Sequence, residues 1–511
     1  MARSKTPSFV TEIPLVVDSK QDAELLSRFQ AARQLYNACL NKAMVRMNLV
    51  RNSEAYQTAR KIPKEEKKKR SAAFSAARQA YRYSDYDIQT YANLVSKKAK
   101  WINEKIDAQA QQTLATRAFK ASERVLFGRA NKVRYKVPTR FKSVEGKTNK
   151  QGIRWKDNQL VWGKLKLNAI IDPKNQVIQH GLNSPVKYVR LLWREINGKR
   201  RWYVQLINEG VPYQKEKNFV SDGVVGLDLN ISNIAFVGNS QAGLLSFAEG
   251  VPTLEREIKA LQRQMERSRR ANNPGNYNPD FEGKRGRKTI TKKGTCKKGR
   301  RKWNNSKRYQ KIARKKRELE RRKAAYAKSQ NRKVVNEILR HGKDIKTEKV
   351  SVKGWQKRYG KAIAAKSPGF VQSELKRKAE SAGGSFIKFS TQKTALSQTH
   401  LNGERIKKKL SERVHHDVTG VVMHRDLFSA YLSRYVNQEN KLSWQDAASQ
   451  YQRLEPILLE AWERFKQTAS KVGESEIPCT DSPAEQFSKK LGKRRQIAAR
   501  KKAERKAAPN S

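Results

Sequence analysis

Three acidic residues stand in segments whose sequence predicts buried elements. Asp228 interrupts the apolar run VVGLDL, Glu348 follows the strand-like segment DIKT, and Asp426 opens the apolar stretch RDLFSAYLSRYV. A lone buried carboxylate is costly unless it is paired or bound to a metal. Three carboxylates brought together would repel one another, and hard cations such as Mg²⁺ or Mn²⁺ relieve this repulsion. We therefore predict that the three acids form a Mg²⁺ (or Mn²⁺) site for phosphodiester hydrolysis.

Each of these acids by itself has a simpler interpretation. A carboxylate at the end of a strand, or in the first turn of a helix, commonly caps that element or faces solvent. For any one of the three acids this simpler interpretation is favoured. The prediction of a shared site rests on their combination and on the segments around them.

Histidines are crowded into one short part of the chain. Four of the six fall between residues 400 and 424, namely His400, His415, His416 and His424. Imidazole is a good zinc ligand, but a structural zinc site built from histidine alone is uncommon. We therefore predict that this part of the chain binds no zinc, with these four residues as the candidates if it does.

The charge of the chain indicates that its partner is nucleic acid. Lys and Arg number 111 against 47 Asp and Glu, which leaves a formal net charge of +64 over 511 residues. A chain this basic repels itself unless a polyanion neutralises it. Its length and its hydrophobic content of 37% predict several buried cores, unlike a small histone-like or ribosomal protein.

Two basic stretches are candidates for contact with phosphate and bases, residues 67–82 and 267–322. Both mix Lys and Arg with glycine or aromatic residues, which suits backbone contact and base stacking. For any single charged run, a solvated surface is the alternative. The predicted nucleic-acid contacts on the first stretch and just beyond it are Arg78, Tyr81, Arg82 and Tyr86.

The cysteines and the apolar runs indicate the compartment. Cys39, Cys296 and Cys479 lie far apart without a CxxC pair, which argues against a disulfide framework and a cysteine zinc site. No apolar run approaches the roughly 20 residues that a membrane-spanning helix needs. We therefore expect a soluble protein of a reducing cytoplasm.

The elements that must position these residues follow from the hydrophobic pattern. Residues 8–17 predict a strand, and apolar residues at helical spacing predict a long helix over 22–47 and a helical tract over 73–127. From residue 131 to 214, short segments split by Gly, Asn and Pro predict a small basic β-barrel or sheet.

After residue 221 the pattern becomes mixed α/β. The segments DGVVGLDL, NIAFVG, DIKTEKV and SFIKFS predict strands. Helices are expected over residues 253–270, 306–341 and 372–382, with a Gly- and Lys-rich loop over 271–301. The end of the chain is low in apolar residues and rich in Lys and Arg, so we predict disorder there.

Several segments, taken in order, resemble one protein family. GLDLNISNIAFVG, IKTEKVSVKGWQ, PGFVQSELKRKAESAGG, LSQTH and HRDLFSAYL resemble the nuclease half of TnpB proteins, the transposon-encoded relatives of type V CRISPR effectors. The likeness covers residues 131–436 well and the N-terminal helices more loosely. The chain departs from the family at Asn230, where Gly is common, in HRDLFSA, where the family has DRDxNAA, and in lacking the two cysteine pairs of a zinc ribbon.

The resemblance implies a multidomain α/β fold. A wedge domain with a β-barrel (residues 1–20 and 131–218) would carry a helical recognition domain (residues 21–130). A RuvC-like nuclease domain, which is ribonuclease H-like with a mixed sheet, would occupy residues 219–395 and 424–470. A degenerate zinc-ribbon-like, target-binding segment would span residues 396–423, and a basic disordered tail residues 483–511.

The resemblance also implies an activity and partners. In RNA-guided enzymes a guide RNA pairs with one DNA strand while the protein reads a short flanking motif. We therefore predict a transposon's RNA-guided DNA endonuclease that cuts guide-matched double-stranded DNA at one site, with Asp228, Glu348 and Asp426 as its catalytic residues. Its cofactors would be guide RNA and Mg²⁺ (or Mn²⁺). It would act as a monomeric ribonucleoprotein in a prokaryotic cytoplasm, at the nucleoid.

Other functions stay open. An RNA-guided DNA-binding protein with weak or no cleavage, such as a repressor or a CRISPR-type effector, would share the fold. A DNA transposase in the strict sense would use the same metal chemistry for strand transfer. A purely structural RNA-binding protein would have no need of three acids in apolar surroundings.

Overall fold

The computed structural model describes residues 7–251, 254–286, 288–299, 301–409 and 412–473. The chain divides into two compact units, Met1–Gln214 (unit 1) and Lys215–Ser511 (unit 2). The predicted domain boundaries inside these units stay predictions. The predicted tail over residues 483–511 lies outside the described residues, as does Cys479.

Unit 1 begins with strand β1 (Ser8–Pro14), followed by the 34-residue helix α1 (Ser19–Asn52). Asp18 caps α1, because its carboxylate accepts a hydrogen bond from the backbone N–H of Gln21 while the Gln21 side chain accepts one from the N–H of Asp18. The helices that follow are α2 (Glu54–Lys61), α3 (Lys67–Ala80), α4 (Asp85–Lys98), α5 (Lys100–Lys105) and α6 (Ala108–Leu126).

The helical tract predicted over residues 73–127 is therefore several helices. Ser84 and Asp107 each cap a new helix by accepting a hydrogen bond from a backbone N–H three residues on. The turn before Ser84 includes Arg82 in a left-handed conformation with φ of 48°. Capping residues and this turn interrupt a hydrophobic pattern that by itself looks continuous.

The strands of unit 1 share a hydrophobic core with α1. They are β2 (Ser143–Glu145), β3 (Ile153–Lys156), β4 (Gln159–Trp162), β5 (Leu165–Asn168), β6 (Val186–Ile196) and β7 (Lys199–Glu209), with helix α7 (Gln176–Leu182) before β6. An antiparallel sheet has the order β1-β7-β6-β2, and a second has the order β3-β4-β5. Phe29 of α1 packs edge-on against Trp202 of β7 and against Phe141, which joins helices and strands in one core.

The two sheets of unit 1 meet along one edge. The backbone N–H of Val16 donates to the carbonyl of Asn168, and the N–H of Ile170 donates to the carbonyl of Pro14, both at 2.8 Å. These hydrogen bonds connect the end of β1 to the end of β5. The basic sheet predicted for residues 131–214 is thus present, while its closure into a barrel stays a prediction.

Unit 2 contains strands and helices in alternation. Its strands are β8 (Val224–Leu229), β9 (Asn233–Val237), β10 (Ala242–Ser246), β11 (Phe281–Arg285), β12 (Lys288–Lys292), β13 (Asp344–Glu348), β14 (Phe386–Phe389), β15 (Val414–His416) and β16 (Val422–His424). Its helices are α8 (Glu255–Asn272), α9 (Lys307–Leu339), α10 (Val352–Lys366), α11 (Pro368–Ser381), α12 (Thr391–Thr394), α13 (Arg425–Ser433) and α14 (Trp444–Gly473).

The main sheet of unit 2 has five strands in the order β10-β9-β8-β13-β14. The pairs β10/β9 and β9/β8 are antiparallel, whereas β8/β13 and β13/β14 are parallel. Apolar residues of α9 and α11, among them Val335, Ile338 and Leu375, pack with Val225 and Ile345 of the central strands. The mixed α/β architecture predicted after residue 221 is confirmed.

One expected loop is partly regular structure. Residues 271–301 contain the antiparallel pair β11/β12, which stands at the far end of the helix pair α8/α9. The sequence KRGRKTITKKG alternates weakly and is dominated by charge, so it gave no strand signal. Among the described residues, no helix is long and apolar enough to cross a membrane.

The central strand β8 and helix α13 approach each other closely. A Cβ atom at Gly226 would collide with the carbonyl oxygen of Ala430 in α13. The Ser433 hydroxyl, one turn further along α13, donates to the carbonyl of Leu227 at 3.3 Å. Because no side chain at residue 226 separates the two backbones, the helix can lie directly on the strand.

We expect Gly226→Ala to destabilise unit 2 by about 1–3 kcal/mol, because the added methyl group must push α13 away from β8. Gly360→Ala is the matched control, since nothing lies within 4 Å of a Cβ atom at that position in α10. Urea unfolding of both variants measures the difference. Equal stabilities of the two variants would contradict the close approach of helix and strand.

Candidate active site

The sheet and α13 bring the three predicted acids to one place. Asp228 lies near the carboxyl end of the central strand β8, and Glu348 is the last residue of its parallel neighbour β13. Parallel strands end at the same edge of a sheet, so these two carboxylates lie on neighbouring strands at that edge. Asp426 is the second residue of α13, which crosses β8, and is only 4% exposed.

The start of α13 is fixed by a histidine. His424 precedes the helix, and its Nδ1 accepts a hydrogen bond from the backbone N–H of Asp426 at 3.2 Å. Its ring packs edge-on against Trp462 and Phe465 of α14. Burial lowers the pKa of His424, which favours the neutral imidazole that this acceptor role requires. His424 therefore sets the first turn of α13, and with it the position of Asp426.

The carboxylates interact through their charges. Burial raises the pKa of Asp228 well above its usual range, and repulsion from Asp426 and then Glu348 raises it further. The positive charges of Arg425 and Arg413 offset only part of this effect. Asp228 as a residue is partly exposed to solvent. Its carboxylate is nevertheless surrounded by protein, and this burial is the largest cause of its raised pKa. The site thus holds more negative charge than its own cations balance.

Glu348 is affected mainly by burial. Desolvation raises the pKa of Glu348 to about 7, although a backbone N–H at Leu396 hydrogen-bonds the carboxylate and lowers it. A carboxyl group with this pKa is partly protonated at neutral pH. Raised pKa values in a group of neighbouring acids are typical of functional sites, and a divalent cation would restore the ionised forms.

Two residues beside Asp426 were not predicted as part of the site. The Asn230 side-chain amide donates to Oδ2 of Asp426 at 3.0 Å, and Nε of Arg425 lies 3.7 Å from Oδ1. Asn230 follows Asp228 by two residues, so the alternation of a strand could have placed both on one face. The sequence marked Asn230 only as a departure from the resembled family.

The donor set fits a hard cation such as Mg²⁺. The residues that could hold it are Asp228, Glu348 and Asp426. Among the described residues, however, their ligand atoms are not gathered closely enough to form a ready-made metal site, and the Asn230 amide engages one oxygen of Asp426. Binding a cation would draw the three carboxylates together.

A different group has its ligand atoms closer together. Side-chain nitrogen or oxygen atoms of His400, His415 and Asp417 all lie within 4.8 Å of one another, and all three residues are buried. His415 Nε2 lies 2.8 Å from Asp417 Oδ2, and His400 Nδ1 lies 3.2 Å from the same oxygen. The His415 ring stacks on Phe428 of α13 at 3.9 Å between ring centroids.

Hydrogen bonds connect the polar atoms of this histidine cluster. Oδ1 of Asp417 accepts from the N–H and the hydroxyl of Thr419, and Oδ2 also accepts from the N–H of Leu401. Together with the bond from His415, these donors hold the pKa of Asp417 well below its usual range, against the effect of burial. Lys408 Nζ lies 2.5 Å from His415 Nδ1.

The four histidine candidates therefore do not form one group. His400 and His415 lie close together, and the third member of their cluster is Asp417. The sequence analysis did not single out Asp417, although it lies two residues after His415. Burial lowers the pKa of both histidines, so they are neutral at pH 7. His416 is exposed on β15, and His424 caps α13 instead.

A basic cleft of about 880 Å³ lies in unit 1, along α2 and α3. The described residues that line it include five cations and four aromatic rings but no carboxylate. They are Tyr56, Arg60, Lys64, Lys67, Arg70, Ser71, Phe74, Ser75, Arg78, Gln79, Tyr83, Ser84, Leu126 and Phe127. Its chemistry suits phosphates and unstacked bases.

Of the four predicted nucleic-acid contacts, only Arg78 lines this cleft. Its guanidinium also binds Glu123 at 3.0 Å and lies over the rings of Tyr83 and Phe127. Tyr81 packs against the core of unit 1, whereas the Tyr86 side chain is 79% exposed. Arg82 is exposed in the turn before α4. Contact of these residues with nucleic acid stays a prediction.

Comparison with solved structures gives matches that include two Cas12f complexes. No protein-family model and no curated protein matches the sequence. The cryo-EM structure of a Cas12f1–sgRNA–target DNA complex matches with a TM-score of 0.40 and 8% identity, over 85% of this chain and 100% of that chain. The cryo-EM structure of a CRISPR-Cas12f ternary complex matches with a TM-score of 0.27 and 9% identity, over 83% of each chain.

We expect Asp417→Ala to lower the free energy of unfolding by about 3 kcal/mol or more, because it leaves the buried His415 ring and the buried N–H of Leu401 without their acceptor. Glu439→Gln is the control, since its ion pair with Lys441 is exposed and should change stability by less than about 1 kcal/mol. Denaturant unfolding measures both variants.

Metal analysis tests the same cluster from another direction. Stoichiometric zinc in the purified protein, lost in His415→Ala, would contradict a cluster held by hydrogen bonds alone.

Proposed function

We propose that the chain is an RNA-guided DNA endonuclease, with a RuvC-like site in unit 2 made by Asp228, Glu348 and Asp426. The observation that carries the proposal is the placement of these acids. They lie on the central strand, at the end of the parallel strand beside it and at the start of the helix that crosses the central strand. Asp228 interacts electrostatically with both of the others.

The sheet itself supports the assignment to the ribonuclease H-like class. In chain order the five strands are arranged 3-2-1-4-5, with the second antiparallel to the first and third and the last two parallel to the first. The resemblance of the sequence to TnpB proteins implies a ribonuclease H-like domain with Asp228 in its first strand and Glu348 after a later strand. The positions of Asp228 in β8 and of Glu348 at the end of β13 agree with this expectation.

Mg²⁺ bound by the three carboxylates would supply an activated water and stabilise the leaving oxygen of a phosphodiester. The residues of the chain then have separate tasks. Asp228 and Glu348, with raised pKa values, hold protons that a cation would displace. Arg425 and Arg413, whose charges act on Asp228, are suited to hold the phosphate near the site.

Guide RNA and target DNA are proposed as partners on the resemblance and on the charge of +64. The basic cleft of unit 1 supports a nucleic-acid contact, because five cations and four aromatic rings are among its described lining residues. We assign that unit to holding guide RNA and reading the flanking motif. The role in a transposon rests on the resemblance alone.

One observation favours a second candidate, an RNA-guided DNA-binding protein with weak cleavage. The Asn230 amide engages an oxygen of Asp426 that a cation would need. If this contact limits metal binding, Asn230→Gly should increase cleavage, and the unchanged chain should act mainly as a binder.

We expect Asp228→Ala to reduce cleavage of guide-matched DNA by at least about a thousandfold, since one ligand of the cation is lost. The protein is purified with RNA transcribed from its own locus and assayed with matched DNA in Mg²⁺. RNA binding, measured by filter retention, should not change. Asp222→Ala is the control, because this carboxylate is exposed and pairs with Lys343. Equal cutting by Asp228→Ala and the parent would exclude the proposed site.

Metal binding should depend on pH. Because the pKa of Glu348 is about 7 without metal, the carboxyl is protonated below that pH and must lose its proton to bind Mg²⁺. Mg²⁺ affinity should therefore rise between pH 6 and 8, with protons released on binding. Calorimetry in buffers of different ionisation enthalpy measures both quantities. An affinity that is constant over this range, or unaltered in Glu348→Gln, would contradict the role of Glu348.

A further inference from the structure

The far end of the helix pair α8/α9 carries a small folded tip, which we call the finger and which the structure describes over residues 273–286, 288–299 and 301–308. The sequence from 273 to 308 contains thirteen Lys and Arg but only two acids, Asp280 and Glu282. Asp280 is already engaged, because it accepts hydrogen bonds from Lys293 and from the backbone N–H of Gly294. The positive charge of the finger is therefore almost uncompensated.

Side-chain hydrogen bonds fix the backbone of the finger. The Asn273 amide donates to the carbonyls of Arg269 and Asn304 and accepts from the N–H of Asn304, all at 2.7–2.8 Å. The Asn276 side chain donates to the carbonyl of Lys302, and the N–H of Asn278 donates to the carbonyl of Thr295. These bonds connect the two sides of the finger at three levels.

Two arginines at the end of α8 are held by aromatic rings. Arg269 lies 4.6 Å from the ring centroid of Trp303 and 4.8 Å from that of Tyr309. Arg270 lies 4.2 Å from the ring centroid of Tyr277 and donates to the carbonyl of Gly294. Such contacts join helix and finger without an apolar core. The finger is a built structure that presents its lysines at set positions.

The finger projects past the edge of the sheet where the acids lie. The C-terminal third of α9 packs on the sheet, and a short turn connects it to the start of β13. The helix and the strand are therefore antiparallel, so the N-terminal part of α9 extends past the carboxyl end of β13. About 20 residues of α9 remain beyond this packed part, which corresponds to about 30 Å. That distance is about nine base pairs of duplex at 3.4 Å each.

We propose that the finger grips the phosphodiester backbone of a duplex about one helical turn away from the acids. The proposal rests on the proposed function, because it concerns the nucleic acid that enters that site. A fixed array of exposed lysines on an extended support suits a regular row of phosphates. An acidic protein would meet the same charges, but it offers no regular repeat for a fixed array to match.

The charge on the finger is tested first. Lys284, Lys297, Lys298 and Lys302 are exposed, and we change all four to Gln or, as the matched control, all four to Arg. Binding of labelled 25-base-pair DNA and RNA duplexes to the full chain, stripped of copurified nucleic acid, is measured over a range of salt. The Gln variant should bind at least about tenfold more weakly, with a salt slope lower by about 3–4, while the Arg variant binds like the parent.

The built geometry of the finger is tested by a variant that keeps every charge. A Cβ atom at Gly294 would collide with the carbonyl oxygens of Asn278 and Pro279, so Gly294→Ala must displace one side of the finger. Gly275→Ala is its control, because nothing lies within 4 Å of a Cβ atom there. Gly294→Ala should weaken duplex binding severalfold and Gly275→Ala should not. If Gly294→Ala binds duplex as tightly as the parent, only the charge of the finger matters and its geometry does not, which would overturn the proposal.

The location of the grip can be mapped through Cys296, which is exposed on the finger. A DNA-cleaving iron chelate is attached to Cys296 in the full chain carrying Cys479→Ser. Cuts clustered about nine base pairs from the position cut in Mg²⁺ support the proposal, and cuts spread evenly along the duplex overturn it.

The outcomes separate this proposal from the proposed function. If the Gln variant binds and cuts DNA like the parent, the proposed role of the finger is wrong and the proposed nuclease activity is supported. If the Gln variant loses duplex binding while neither it nor the parent cuts DNA in Mg²⁺, the role of the finger is supported and the proposed nuclease activity is wrong. Unlabelled duplex and poly-glutamate are also compared as competitors of the labelled duplex at the same concentration of negative charge. If poly-glutamate competes as well as duplex, the finger binds an acidic protein and the proposal is overturned.

Discussion

The contact between α13 and β8 is the constraint on which the rest of unit 2 depends. Because residue 226 is glycine, the Ala430 carbonyl can lie against the central strand, and Ser433 adds a hydrogen bond to Leu227. This contact carries Asp426 to the neighbourhood of Asp228. The repulsion between their carboxylates is therefore a consequence of how the helix packs on the strand about one helical turn away.

Unit 2 contains two buried polar clusters with opposite electrostatics. In the carboxylate site, burial and repulsion raise the pKa of Asp228, so ionisation is opposed unless a cation enters. In the histidine cluster, hydrogen bonds lower the pKa of Asp417 despite its burial, so its charge is already stabilised. The two clusters therefore differ in how well the surrounding protein stabilises the charge of the buried carboxylate.

Much of the fold was predictable, because long periodic segments dominate local structure. The helix over α1, the apolar strand around Asp228 and the order of elements after residue 221 followed from the hydrophobic pattern. The finger was missed, because its strands bury little apolar area and are held by side chains such as Asn273 that bond residues far along the chain. The helical tract was read as continuous because capping at Ser84 and Asp107 breaks the backbone without breaking the pattern.

The sequence by itself determined the basic charge, the identity of the three acids and the apolar segments that carry them, since these depend on residue type and local spacing. Only the tertiary structure decided which of these residues meet. Asn230 reaches Asp426 across 196 positions of sequence, and His400 reaches Asp417, which follows strand β15. Such contacts depend on how helices and strands pack against one another. Local sequence patterns specify the elements but not this packing.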